Sequence, residues 1–108
     1  MPKQHISTLR LILQDLEPTD CDRLFKMDSD PRVFATLFGV TPPTTVEESS
    51  QAIEMVRKQY VDNGIGRWAV IEKESGLFIG WAGLKIERNV NGHDSFYDLG
   101  YRFIPEYW

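Results

Sequence analysis

One cysteine, Cys21, and two histidines, His5 and His93, are all this chain has of the side chains that most often build redox and metal sites. A single cysteine makes an internal disulfide impossible and fits a reducing compartment. Each histidine stands without a second ligand at metal spacing, so no metal centre is expected. No apolar run approaches the roughly 18 residues that a membrane span needs. The opening Met1-Pro2-Lys3-Gln4-His5 has no apolar stretch of the kind found in a secretory signal. A basic excess is missing too. Twelve Lys and Arg stand against 16 Asp and Glu, for a net charge of −4, which argues against a nucleic-acid backbone as partner. The expectation is a cytoplasmic protein with no membrane or nucleic-acid partner.

What is present is a core. Hydrophobic residues make up 42% of the 108 and aromatic residues 12%, too many for disorder and enough for one domain. No repeat, low-complexity tract or internal boundary interrupts it.

Residues 8–14 read as a strand, with Leu9, Leu11 and Leu13 on one face. A helix start follows at Glu17-Pro18-Thr19-Asp20, with Thr19 as cap and Asp22 returning the bond. Cys21, Leu24 and Phe25 give its buried stripe. Asp30-Pro31 opens a second short helix running to Leu37, with Asp30 as cap and Gly39 as its end. Thr45-Val46-Glu47-Glu48 is a capping box and predicts a helix over 46–62. Ala52, Ile53, Val56 and Tyr60 form its buried stripe, and Asn63-Gly64 closes it. Residues 67–73 and 77–87 read as a hairpin about Glu74-Ser75-Gly76. Gly80 and Gly83 inside the second strand predict a bulge or a close backbone approach. A polar turn containing Asn91-Gly92 leads to a closing strand over 95–104. There Tyr97, Leu99, Tyr101 and Phe103 alternate with Asp98, Gly100, Arg102 and Ile104, until Pro105 ends the ladder.

The closing run, Asp98-Leu99-Gly100-Tyr101-Arg102-Phe103-Ile104-Pro105-Glu106-Tyr107-Trp108, resembles the fourth strand of the GNAT superfamily of N-acetyltransferases. Within it, the run is most similar to the RimJ/RimL branch, which acetylates N-terminal amino groups of ribosomal proteins. The order of elements over residues 8–108 matches the N-terminal half of that fold. The implied fold class is α/β (α+β), with a mixed, mainly antiparallel sheet and flanking helices. The branch pattern continues into a glycine-rich loop, which would begin at the next residue. Residues 1–108 are therefore expected to be the N-terminal part of a single acetyltransferase domain, ending before the pyrophosphate-binding loop.

The resemblance implies the chemistry. The co-substrate would be acetyl-CoA and the acceptor a primary amine. Acetyl transfer needs a deprotonated amine, a stabilised oxyanion and a proton for the leaving thiolate. Asp98 matches the acidic position of the general base, although an Asp reaches less far than the Glu usual there. Backbone amides of Phe103 and Ile104 match the contacts to the acetyl and pantetheine groups. Trp68, Trp81 and Tyr101 are candidates for lining the acceptor cleft. For all six residues a structural role stays open: strand carboxylates often serve cross-strand partners, and strand aromatics often serve the core. Cys21, on a helix stripe, reads as a buried thiol. Gly64-x-Gly66 reads as a turn.

Three function classes remain. One is an acetyltransferase, active as a longer protein and inactive as residues 1–108 alone. Another is a non-catalytic binding or dimerisation module that keeps this half of the fold, and the third is a ligand-binding sensor using the same cleft. A homodimer through strand 95–104 is expected in each case, because that edge and its aromatic face lack cover.

Overall fold

In the computed structural model, residues 3–35, 42–90 and 93–107 are described, and for 85–90 and 93–99 the description is of the backbone. A five-stranded sheet runs in the order β1 (Gln4–Ser7), β2 (Leu11–Gln14), β3 (Arg67–Glu72), β4 (Phe78–Val90) and β5 (His93–Phe103). Every neighbouring pair is antiparallel. Three helices, α1 (Cys21–Asp28), α2 (Pro31–Phe34) and α3 (Val46–Asn63), fall between β2 and β3. The expected α/β class with a mainly antiparallel sheet is what the chain adopts.

The opening strand differs from expectation. Residues 8–14 are not one strand. The chain turns at Thr8, whose N–H donates to Leu11 O (2.8 Å) and whose Oγ1 accepts from the Leu11 N–H (3.0 Å). A threonine hydroxyl supplies this turn, where no glycine or proline advertises it. Leu9 sits at its tip, 94% exposed, rather than on a buried face. The residues before it pair back as β1, so the meander has five strands where sequence showed fewer.

The first helix start also differs. Its capping carboxylate is Asp20, whose Oδ2 accepts from the Glu17 N–H (2.8 Å) across a short 3-10 turn at Pro18–Asp20. Asp30 caps α2 as expected, accepting from the Arg32 N–H (2.9 Å). The expected run to Leu37 and its end at Gly39 lie outside the described residues. α3 starts at the expected place. Thr45 Oγ1 accepts from the Glu48 N–H (3.4 Å), but the Glu48 carboxylate reaches the Thr44 N–H (2.8 Å) instead of Thr45. Gly64 closes the helix at φ 75°, a conformation that a Cβ disfavours.

Rung parity decides which sheet face is covered. Ala69, Ile71 and Phe78 meet Leu16, Leu24, Met27, Val33, Ile53 and Val56 in the core, with Trp81 packed against them. This is the face under α1 and α3. Tyr60 ties the layers together: its hydroxyl donates to Arg67 O and accepts from the Leu16 N–H (3.1 Å). Burial pushes that phenol up to about 12. β4 carries the expected irregularity. Val70 faces Gly80 while Ile71 faces Phe78, so Ile79 is the extra residue of a bulge. Gly80 is required there for space, because a Cβ would stand 2.4 Å from Arg102 O. From α1, Arg23 clamps the bulge by giving Nε (3.0 Å) and Nη2 (2.9 Å) to Phe78 O.

Candidate active site

β5 is the last strand in the order of the described sheet and holds three of the six residues singled out from sequence, Asp98, Tyr101 and Phe103, with Ile104 directly after it. Its register on β4 runs from Val90↔His93 to Gly80↔Phe103. Asp98 pairs with Lys85, Gly100 with Gly83 and Arg102 with Trp81. Residues 98, 100 and 102 therefore share the face that α1 and α3 cover, and 101 and 103 share the other.

Amides alternate in the same way. The Ile104 N–H donates inward to Ile79 O (2.8 Å), and Ile104 O accepts from the Tyr107 N–H (2.9 Å). Ile104 is buried, with 1% of its surface exposed. Its backbone is thus spent on the sheet and on the 3-10 turn at Pro105–Tyr107. By alternation the Phe103 amide points away from β4, toward the outer edge.

The three aromatics do not gather in one place. Trp68 stands opposite Ala82, and Ala82 opposite Tyr101, so Trp68 and Tyr101 share a rung on the face away from the helices. Trp81 stands opposite Ala69, one rung along and on the helix-covered face. Tyr101 is 71% exposed and lies 6.0 Å from the Phe103 ring. Trp68 stacks on His5 at 4.3 Å and 15°, and its buried Nε1 has no hydrogen-bond partner among the described residues.

Arg102 has a partner that sequence did not indicate. Its guanidinium lies 4.1 Å over the Trp81 ring. It gives Nη2 to Asp28 Oδ2 (2.9 Å), and its Nε sits 2.9 Å from Asp28 Oδ1, an ion-pair approach that is poorly aligned as a hydrogen bond. Desolvation raises the Asp28 carboxyl above its ordinary value against the pull of Arg102, and desolvation lowers Arg102. Nearby on the surface, Arg32 bridges Asp30 (2.7 Å) and Glu106 (3.5 Å). The corner between α1 and α2 is thus ion-paired once to β5, through Arg102, and once to the 3-10 turn that follows it, through Glu106. Asp30-Pro31 was legible as a helix start; that Asp28 just before it grips β5 depended on a contact 74 positions away.

The described helix starts do not fit a phosphate group. Asp20 occupies the turn before α1, Asp30 occupies α2, and Glu47 and Glu48 stand in the first turn of α3. Carboxylates there compete with any anion for the same positive end of the helix. Among the described residues, no group of three or more metal-ligating side chains occurs, and no helix is long and apolar enough to cross a membrane. Cys21 is partly exposed on α1 and packs against the core.

Helices on one face of an antiparallel meander, a bulged β4 and an acidic β5 at the last place in the sheet agree with the acetyltransferase pattern. Residues 10–108 match the acetyltransferase (GNAT) domain. The chain belongs to that family of acetyltransferases. It is 33% identical over 94 residues to the uncharacterised N-acetyltransferase p20 of Bacillus licheniformis, covering 86% of this chain and 52% of that protein. Its fold is similar to a Bacillus anthracis acetyltransferase of the GNAT family (TM-score 0.70, 18% identity, 95% of this chain and 55% of the other). It is also similar to a Vibrio cholerae protein described as a ribosomal-protein-serine acetyltransferase (TM-score 0.67, 21% identity, 96% of this chain and 56% of the other). The chain spans about half the length of these relatives.

Proposed function

We propose that the whole protein is an acetyl-CoA-dependent N-acetyltransferase of the RimJ/RimL type, acting on a primary amine such as a protein N-terminus. The observation that carries this reading is the family match across residues 10–108, which takes in all of β5 and its Asp98-to-Trp108 run. The Vibrio cholerae neighbour, described as a ribosomal-protein-serine acetyltransferase, supports a protein acceptor over a small amine.

Within that reading Asp98 is the general base, acting directly or through a water on the ammonium of the acceptor. The amine attacks the thioester carbonyl; the C–S bond breaks, and the thiolate takes up a proton. The outer edge of β5 at Phe103 is the place for the pantetheine arm and the developing oxyanion, because a strand-edge amide is a preorganised donor. Ile104, its amide given to Ile79, supports that edge by anchoring the strand end in the core. Tyr101 and Trp68 share the open face, on the other side of the sheet from Asp98, so they do not line an acceptor held at that base. Trp81 serves Arg102 on the other side. Each described helix start carries a carboxylate that competes with a phosphate, so residues 1–108 alone are expected to hold the co-substrate weakly.

The test is a thiol-release assay on the intact protein with acetyl-CoA. Peptides with a free N-terminus, a polyamine and an amino sugar are compared as acceptors. Turnover with peptides and little with the others supports the reading. Thiol release with none of them would favour the binding-module alternative.

A further inference from the structure

α1 grips the sheet at two points, one near each of its ends. Near its start, Arg23 gives Nε (3.0 Å) and Nη2 (2.9 Å) to Phe78 O, beside the β4 bulge. At its last residue, Asp28 accepts from Nη2 of Arg102 on β5 (2.9 Å). Residues 23 and 28 stand about 7.5 Å apart along a helix axis. One short helix therefore spans the pairing of β4 with β5.

The two strands meet closely at that place. Arg102 is the register partner of Trp81 and lies over its ring at 4.1 Å, and Trp81 packs against the core. On the next rung Gly80 faces Phe103. A Cβ on Gly80 would collide with Arg102 O and stand 3.0 Å from Phe103 Cα. The bulge residue Ile79 then accepts from the Ile104 N–H (2.8 Å). Residues 102–104 thus have their backbone seated on the bulge and their one charged side chain tied to α1.

We propose that Arg23 and Asp28 are positioning residues for acetyl transfer: through them α1 holds residues 102–104 against the β4 bulge and fixes where the thioester lies. This rests on the reading of the outer edge of β5 as the place of the pantetheine arm and the oxyanion. Stability alone accounts poorly for the Asp28–Arg102 pair. Both side chains are mostly buried, and burial costs such a pair about what attraction returns. Asp28 Oδ1 and Arg102 Nε also lack an aligned hydrogen-bond partner among the described residues. What the pair does supply is direction, because a guanidinium between a ring and a carboxylate has one place to lie. Reacting groups need that direction, since a misplacement of about 1 Å can cost on the order of 10²-fold in rate.

The experiment compares four variants of the intact protein: Asp28→Leu, Asp28→Asn, Arg23→Met, and Asp28→Leu combined with Arg102→Met. Stability, hydrogen exchange at the Ile104 amide, and kcat and KM with acetyl-CoA and an N-terminal peptide are measured on each. Asp28→Leu should lower kcat by roughly 10–100-fold, with little change in KM for acetyl-CoA, and should speed Ile104 exchange. Asp28→Asn keeps an oxygen for Nη2 and should lose less. Arg23→Met should move kcat and exchange in the same direction, and carries the test should the Asp28 variants fail to fold. The double variant decides between positioning and stability. It regains stability because no charge is left buried alone, yet its kcat and exchange should stay as in Asp28→Leu. A kcat that returns together with stability overturns the proposal, and so does Ile104 exchange unmoved in the folded variants. Faster exchange with kcat unchanged overturns the reading of the β5 edge instead, and the positioning role with it.

Discussion

Asp28 at the end of α1 and Arg102 near the end of β5 form a buried ion pair, 2.9 Å between Nη2 and Oδ2, with the guanidinium also over Trp81. Their side chains are 14% and 17% exposed, so both charges have lost most of their water. Desolvation outweighs attraction on both partners, since Asp28 is raised and Arg102 lowered. Such a pair holds an orientation more than it adds stability.

Removing one partner should therefore cost more than removing both. Asp28→Leu leaves a buried guanidinium and should cost about 3–5 kcal/mol, whereas Asp28→Leu with Arg102→Met should return close to wild type. The pH sign follows from the raised Asp28. Its contribution is fully present below its ordinary value of 3.8 and is lost as pH rises through the higher folded value. Wild type should gain on Asp28→Asn as pH falls from 7 toward 4. Urea titrations at both pH values check both statements; a double variant as unstable as the single one would refute the first.

Ile53, on α3, is fully buried in the core. Ile53→Ala should cost about 2–5 kcal/mol. A loss below about half a kcal/mol, far under the usual cost of an emptied core site, would mean that α3 does not pack as described.

β5 ends the described sheet and Tyr101 is 71% exposed on it. An edge strand of this length with an aromatic face tends to pair with another. Residues 1–108 should dimerise, with association weakened by Tyr101→Lys. Sedimentation at high concentration showing only monomer would count against this.

Acetyl-CoA should bind residues 1–108 poorly. Its charge lies mostly on phosphates, and each described helix start has an acidic residue in place. A pantetheine arm held at a strand edge adds little, because ordering a flexible chain costs much of what its contacts return. Calorimetry should show no saturable heat for 1–108 and clear binding for the intact protein. Tight binding by 1–108 would place the cofactor elsewhere.

Much of this was legible because its signals are local. Thr45 and Glu48 marked the start of α3, Asn63-Gly64 its end, and Gly80 the neighbourhood of the bulge. The misses came from contacts that sequence neighbours do not encode. The turn at Thr8–Leu11 is closed by a hydroxyl, so β1 went unseen. With it went the setting of His5, which bonds Asp15 Oδ1 at 2.7 Å and stacks on Trp68. Trp68 and Trp81 looked equivalent until register placed them on opposite faces. At the site, the resemblance pointed to β5, but the contact of Arg102 with Asp28 depends on helix packing across 74 positions, and that is the kind of partner a linear pattern hides.

The most direct test of the central claim is the pH–rate profile of Asp98→Asn in the intact protein, with acetyl-CoA and an N-terminal peptide. Loss of the base should lower kcat by roughly 10²–10⁴-fold and flatten the rise of rate with pH, with little change in acetyl-CoA affinity. Turnover and a pH profile like those of wild type would contradict the account and return Asp98 to a structural role in the sheet.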